Sequence, residues 1–215
     1  MVYEIVDDKV PFYSQFVSVA ILIINIIVFI IQFFDPTGYM FIYDAAFIPN
    51  DFFAGKKMWT IFTSMFMHAD WLHILMNMFF FYVVADNCEK AMGHIYFLIS
   101  YLISGLVGSL LHGVIALAIG WGDIPSLGAS GAVMGVVAIY GILFPRNRLR
   151  YFYFMGTVSA RTFILITFIT ELIYGLISLF YITGTAHFAH IGGFIMGVIF
   201  AYLLKLVKRD QYHGA

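Results

Sequence analysis

Six long apolar segments divide this chain, and most of its charged residues lie in the connections between them. A helix needs about 20 mostly apolar residues to cross the hydrocarbon core of a bilayer. The segments comprise residues 16–34, 71–85, 94–119, 128–144, 162–182 and 186–207. Hydrophobic residues make up 62% of the chain and charged residues only 11%, whereas soluble domains have about 25% charged residues. We therefore predict an all-α integral membrane protein with six transmembrane helices.

We interpret the six segments as one domain, residues 16–207, between an N-terminal segment (1–15) and a short tail (208–215). The first apolar segment should be a retained helix, because acidic residues outnumber the single Lys9 before it and a signal peptide begins with positive charge. The second and fourth segments are short, so we expect protein rather than lipid to surround those helices. The lone Cys88 excludes a disulfide within the chain.

The distribution of basic residues predicts the orientation of the chain. One side of the membrane collects nine of the eleven, namely Lys9, Lys90, Arg146, Arg148, Arg150, Arg161, Lys205, Lys208 and Arg209. Only Lys56 and Lys57 lie on the other side. Because cytoplasmic loops carry the excess of Lys and Arg, we expect both termini in the cytoplasm of a cell and the domain in its cell membrane. The net charge of −1 leaves no basic surface for a nucleic acid partner.

The first loop, residues 35–70, is unusually aromatic for a solvated connection. Its aromatic residues include Phe41, Tyr43, Phe47, Phe52, Phe53, Trp59, Phe62 and Phe66. Aromatic side chains favour the boundary between lipid and water. We therefore expect this loop to be partly embedded in the outer part of the membrane.

Polar residues of three predicted helices fall at the same depth, towards the outer side. His73 and Asn77 lie at the outer end of the second helix, Ser130 at that of the fourth, and His187 and His190 at that of the sixth. Polar and ionisable groups are costly inside a membrane and usually face the bundle interior or a wet cavity. Their shared depth predicts a functional site that opens towards the outer face.

These residue types can perform acyl transfer, which needs a nucleophile, a base and donors for the oxyanion. Ser130 can be the nucleophile and a histidine of the sixth helix the base, while His73 and Asn77 project from one helix face as donors. Small residues spaced at 131–135 and 193–197 would let the fourth and sixth helices approach closely. Because no aspartate lies in the spans, the expected assembly is a Ser-His dyad rather than a triad.

Each of these residues also has a structural interpretation. Ser130 between glycines can be a helix contact, because membrane helices pack through Gly, Ala and Ser. Lone histidines in apolar helices usually pack, which is our interpretation of His94 and His112. Glu171 is the acid in the middle of the fifth span, where we expect it to be protonated or paired, with no catalytic role.

A zinc site is the alternative for the other histidines. His68 and His73 are five residues apart, and His187 and His190 lie three apart on one helical face. However, no HExxH motif is present and we expect no carboxylate beside these histidines. We therefore predict no metal and no cofactor.

The chain resembles the rhomboid intramembrane serine proteases over nearly its whole length. The ordered motifs are AFIP at 46–49, Trp59 with FTSMFMH at 62–68, HILMN at 73–77, EKAMG at 89–93, GASG at 128–131 and AHIGG at 189–193. The resemblance implies a six-transmembrane-helix bundle with a membrane-embedded first loop. It also implies that Ser130 is the nucleophile, that His190 is the base, and that His73, Asn77 and the Ser130 N–H bind the oxyanion.

The implied activity is hydrolysis of peptide bonds within or beside transmembrane segments of single-pass membrane proteins. Helix 5 and the 5/6 loop, residues 183–186, would gate access of the substrate, with the lipid bilayer as the surroundings. Two positions depart from the family pattern. Thr60 replaces an arginine that often anchors the first loop, and Met134 replaces an aromatic residue that packs on the catalytic histidine.

Two other functions fit a six-helix membrane protein. A catalytically inactive relative that binds membrane proteins is disfavoured, because such relatives usually lack the serine or the histidine and both are present here. A transporter or channel is disfavoured because the sequence shows no internal repeat and no paired charges along a path.

Overall fold

The structure is a computed structural model that describes residues 3–4, 10–36, 40–150 and 156–213. Its helices are α1 (Phe16–Phe33), α2 (Met40–Ala45), α3 (Pro49–Phe53), α4 (Thr60–Thr63), α5 (Trp71–Met92), α6 (His94–Ala118), α7 (Ser130–Leu143), α8 (Ala160–Ile177) and α9 (His187–His213). Lys9 and the acidic residues 7–8 lie outside the described residues, as do the side chains of Phe41, Arg150, Lys208 and Arg209.

A small antiparallel sheet accompanies the helices. Its strands are β1 (Tyr3–Glu4), β2 (Arg148–Arg150) and β3 (Thr157–Ser159), in the order β1-β2-β3. The purely helical prediction did not include this sheet, because strands of two or three residues are too short for a period-two pattern to be read from sequence. The sheet brings the N-terminal segment and the connection between α7 and α8 to the same end of the molecule.

Four helices are long and apolar enough to cross a membrane by length and composition: α1, α6, α8 and residues His187–Val207 of α9. The protein is therefore a membrane protein with a predominantly helical fold. α7 is apolar but shorter, at 14 residues, or about 21 Å at 1.5 Å per residue. The six-span arrangement stays a prediction.

α7 lies at the centre of the bundle, where it packs against α5, α6, α8 and α9. Most of its residues are buried, so protein surrounds it as we expected. α5 differs from that expectation, because it exposes Leu72, Leu75 and Tyr82 on one face. With 22 residues it is also longer than predicted, since it continues beyond residue 85 to Gly93, which ends it with a positive φ of 80°.

Glycines bring α7 and α9 into backbone contact. A Cβ atom built on Gly193 would clash with the carbonyl oxygen of Gly131, and one on Gly197 would clash with that of Gly135. The predicted close approach of these two helices through small residues is therefore confirmed.

The fifth predicted helix ends earlier than expected. α8 stops at Ile177 rather than at residue 182, and α9 then begins at His187. The intervening segment contains Gly184 with a positive φ of 73°, a conformation that favours glycine. The apolar side chains at 179–182 made this segment resemble a continuation of the helix.

One end of the bundle is held together by polar contacts. The Glu89 carboxylate accepts hydrogen bonds from the N–H groups of Val17 and Ser18 at the start of α1 and contacts His94 at the start of α6. Lys205 of α9 donates to the carbonyl of Ile142 near the end of α7, at 2.7 Å. The N-terminal ends of α5, α7 and α9 consequently meet at the opposite end of the bundle.

The first loop is folded around Lys57. The Lys57 ammonium group donates to the Asp44 carboxylate at 3.0 Å and to the carbonyl of Tyr43 at 2.7 Å, and Trp59 Nε1 donates to the carbonyl of Asp44. Thr60 is buried and donates to the carbonyl of Lys57. Lys57 thus links α2 to the segment that leads into α4. The embedding of the loop in the membrane stays a prediction.

Candidate active site

The four predicted site residues line one cavity of about 900 Å³. Ser130 is the first residue of α7, His190 lies in the first turn of α9, and His73 and Asn77 lie near the start of α5. The start of α5 is set by Asp70, whose carboxylate accepts the His73 N–H at 2.8 Å and so caps the helix. Because three helices begin at this end of the bundle, their polar residues meet at one depth, as the sequence predicts.

Hydrogen bonding assigns the tautomer of His73. Its Nδ1 accepts the backbone N–H of Ala69 at 3.3 Å. In a neutral imidazole one nitrogen accepts and the other carries the proton, so Nε2 of His73 carries the proton and is a donor. Nε2 is also the nitrogen that faces the loop before Ser130.

Gly128 keeps the space between His73 and Ser130 open. A Cβ atom at this position would lie 2.8 Å from His73 Nε2 and 3.6 Å from Ser130 Oγ, and the residue has a positive φ of 129°. Its N–H donates to the carbonyl of Ser64 at 2.9 Å, which fixes the loop. The first N–H groups of a helix have no intrahelical partner, so the start of α7 adds backbone donors beside this space.

Asn77 is buried and donates one amide proton to the carbonyl of His73 at 2.9 Å. A side-chain amide has two donor protons. The second proton of Asn77 has no acceptor among the residues that the structure describes, and the residue lines the cavity together with Ser130.

Ser130 and His190 share the cavity but do not form a hydrogen bond with each other in the described part of the chain. Their helices touch directly beside them, because a Cβ atom at Gly131 would lie 3.2 Å from the carbonyl oxygen of Ala189. Catalytic hydrogen bonds are often long in unliganded enzymes and tighten when substrate binds.

Glu171 was expected to be protonated or paired, but its place beside the two histidines of α9 was not predicted. Its Oε2 atom lies 2.8 Å from Nδ1 of His187 and 3.0 Å from Nδ1 of His190. Our expectation that no carboxylate neighbours these histidines was wrong. The early end of α8 is the reason, because it places Glu171 in the C-terminal half of the helix rather than at the middle of a longer span. The sequence did carry a signal for this contact, because the single acid of the fifth span precedes a helix that has two histidines in its first turn.

The remaining histidines differ in their surroundings. His187 stacks on Tyr174 with ring centroids 5.5 Å apart, and it is the ring neighbour of His190 within the described residues, at 6.1 Å. Met134 lines the cavity in place of the aromatic residue expected by resemblance. His112 lines a second cavity of about 320 Å³ rather than the first.

His68 lies in the loop before α5 and is fully buried. Its ring packs edge-on against His73 with centroids 5.1 Å apart. Burial, together with the nearby His73 ring, lowers the pKa of His68 to about 3. A neutral ring of the preceding loop therefore packs against His73 at the start of α5.

Three residues at the site form a set that can hold a metal ion. Ligand atoms of Glu171, His187 and His190 lie within 4.8 Å of one another. Two histidines and a glutamate form one of the ligand sets of catalytic zinc. The absence of a metal stays our prediction, because the chemistry of a serine and a histidine needs none.

Comparison with known proteins places the chain in a family of membrane proteins. The profile of the rhomboid domain matches residues 55–206, so the chain belongs to the rhomboid family.

Individual relatives agree with this assignment. The chain is 29% identical to RHOMBOID-like protein 6, mitochondrial, of Arabidopsis thaliana, over 74% of this chain and 47% of that protein. It is 28% identical to Rhomboid protein 1, mitochondrial, of Saccharomyces cerevisiae, over 82% of this chain and 50% of the relative. It is also 28% identical to Rhomboid protease GluP of Bacillus subtilis, over 76% of this chain and 29% of the relative. The chain thus spans half or less of the length of these three proteins.

Proposed function

We propose that this protein is an intramembrane serine endopeptidase with Ser130 as nucleophile and His190 as general base. The observation that carries the proposal is the single cavity in which Ser130, His190, His73 and Asn77 meet at the beginnings of three helices. Membership of the rhomboid family supports it, since a relative from Bacillus subtilis is named a rhomboid protease.

In the proposed reaction the Ser130 oxygen attacks the carbonyl carbon of the scissile peptide, while the hydroxyl proton passes to His190 Nε2. The carbonyl oxygen becomes an oxyanion that accepts hydrogen bonds from His73 Nε2, Asn77 and the backbone N–H of Ser130. Its collapse releases the amine, which takes the proton from His190. Water then attacks the acyl-enzyme with His190 as base and restores Ser130.

The proposed substrates are single-pass membrane proteins. The cavity is bordered by Met76 and Phe80 of α5 and by Phe163 and Ile166 of α8, so a segment arriving between these two helices would reach Ser130. A helical segment hides its carbonyl groups in hydrogen bonds, and residues with poor helix propensity such as Gly or Pro near the scissile bond would ease its unwinding.

The arrangement in the membrane is part of the proposal. Residues 16–207 would form six transmembrane helices in a cell membrane, with both termini in the cytoplasm and the cavity open towards the outer face. The apolar first loop would lie in the outer leaflet, and water for the second step would come from the outer side.

Labelling with a fluorophosphonate probe tests the function without knowledge of the substrate. We expect the purified folded protein to be labelled and the Ser130→Ala variant to remain unlabelled. Because one oxyanion donor contributes about 10²- to 10³-fold to turnover, Asn77→Ala should slow labelling without abolishing it. Asn87→Ala, at the other end of α5, is the matched control and should label like the wild type. An absence of labelling in folded wild-type protein would overturn the proposal.

A further inference from the structure

The carboxylate of Glu171 contacts the ring of His190, the proposed general base. Glu171 reaches from α8 towards the first turn of α9, and its side chain is only 16% exposed. The same oxygen, Oε2, contacts Nδ1 of both His187 and His190. Nδ1 is the ring nitrogen of His190 that does not take the serine proton in the proposed reaction.

We propose that Glu171 is a positioning residue that holds His190 in the orientation and tautomer needed for catalysis. This inference rests on the proposed function and extends it, because it adds Glu171 to the expected pair of Ser130 and His190. The role parallels that of the carboxylate in serine protease triads, which orients the base without taking the proton itself.

The contact with Glu171 favours one tautomer of His190, whose Nδ1 lies 3.0 Å from Glu171 Oε2. A negative oxygen at this distance favours a proton on Nδ1, because the alternative would set a lone pair against the carboxylate. With the proton on Nδ1, Nε2 carries the lone pair that accepts the hydroxyl proton of Ser130. When that proton arrives, the ring becomes positive beside a carboxylate in a partly buried site, where the attraction is stronger than in water.

The position of Glu171 is itself fixed by a second histidine. His187 Nδ1 forms a hydrogen bond of 2.8 Å with Glu171 Oε2, and the His187 ring is stacked on Tyr174 of the same helix as Glu171. The contact of Glu171 with His190 is short, at 3.0 Å, but it is not a hydrogen bond in the described structure. In the proposed role, His187 holds the carboxylate in place so that it can accept the Nδ1 proton of His190 when the base turns towards Ser130.

A purely structural role would join α8 to α9 without affecting the chemical step, and kinetics of probe labelling separate the two. We would measure the maximal labelling rate at saturating fluorophosphonate and the probe concentration that gives half this rate. For Glu171→Gln, which keeps the shape and removes the charge, we expect the maximal rate to fall about 10- to 100-fold, as for a misplaced catalytic group. The half-saturating concentration should stay unchanged.

Two further variants complete the test. Glu171→Asp keeps the charge and should recover part of the lost rate. Glu89→Gln removes a carboxylate that contacts His94 at the far end of the bundle, and it should leave the maximal labelling rate unchanged. Thermal melting of each variant identifies any loss of folded protein. The labelling rate of each variant is then divided by its folded fraction.

The outcomes separate this inference from the proposed function. If wild-type protein is labelled at Ser130 and Glu171→Gln is labelled at the same maximal rate, the inference is wrong and the proposed protease function stands. The inference also fails if Glu171→Asp is no better than Glu171→Gln. If wild-type protein is not labelled at all, both fail.

Discussion

Carboxylates contact histidine rings at two places in the described part of the chain, and the other partners of each carboxylate separate their roles. Glu89 also accepts two backbone N–H groups of α1, so it caps a helix and joins it to α5. Among the described residues, Glu171 contacts the two histidines of α9, and it lines the cavity with Ser130. Contacts between a glutamate and a histidine therefore stabilise the fold at one end of the bundle and lie at the candidate site at the other end.

His68 gives a residue-scale prediction for the dependence of stability on pH. Its pKa is about 3 in the folded protein, against an ordinary value of 6.5. Between these values the unfolded chain binds a proton that the folded protein does not, so the free energy of unfolding falls as the pH decreases. From pH 7 to pH 5 the His68 contribution should fall by about 2 kcal/mol.

Thermal melting of the solubilised protein checks this effect. The His68→Leu variant should lose less of its melting temperature between pH 7 and pH 5 than the wild type does. The substitution spares the hydrogen bonds of Gln32, which go to the backbone of residue 68. Equal losses in the two proteins would contradict the prediction.

At the scale of elements, the contact of α7 with α9 sets the distance between the proposed nucleophile and base. Gly131 and Gly193 meet beside Ser130 and His190, and the contact is repeated further along by Gly135 and Gly197. The sequence pattern predicts this pairing, because small residues at a spacing of four lie on one helix face. The end of α8 could not be predicted in the same way, because apolar residues continue past it.

Gly197→Ala tests the spacing of these helices away from the catalytic residues. Its methyl group would meet the backbone of Gly135, which cannot rotate away as a side chain can. We expect a loss of about 1–3 kcal/mol in stability together with slower probe labelling, measured by thermal melting and labelling kinetics. Gly175→Ala in α8 is the control, because it would meet the flexible end of Ile191 at 3.2 Å. Equal behaviour of the two variants would show that the close contact does not matter.

For the whole molecule, the exposed basic residues distinguish the two ends of the bundle. The connection between α7 and α8 carries exposed Arg146 and Arg148, whereas exposed Lys56 lies in the first loop. The positive-inside rule then predicts that the arginine end faces the cytoplasm and the cavity end faces outwards.

Cysteine labelling in intact cells measures this orientation. Wild-type Cys88 is fully buried and gives little background. A membrane-impermeant maleimide should label Lys56→Cys from outside and should label Arg146→Cys only after the membrane is opened. The reverse pattern would invert the proposed topology and place the cavity in the cytoplasm.

The sequence by itself determined that this is a helical membrane protein and indicated Ser130, His190, His73 and Asn77 as one group. Both follow from local physics, because apolar length and the depth of polar residues along a span can be counted on the chain. Only the tertiary structure decided which side chains face one another: Glu171 against His190, and Gly128 between His73 and Ser130. Such contacts depend on where helices end and how they rotate and pack, which hydrophobic periodicity along one segment leaves open.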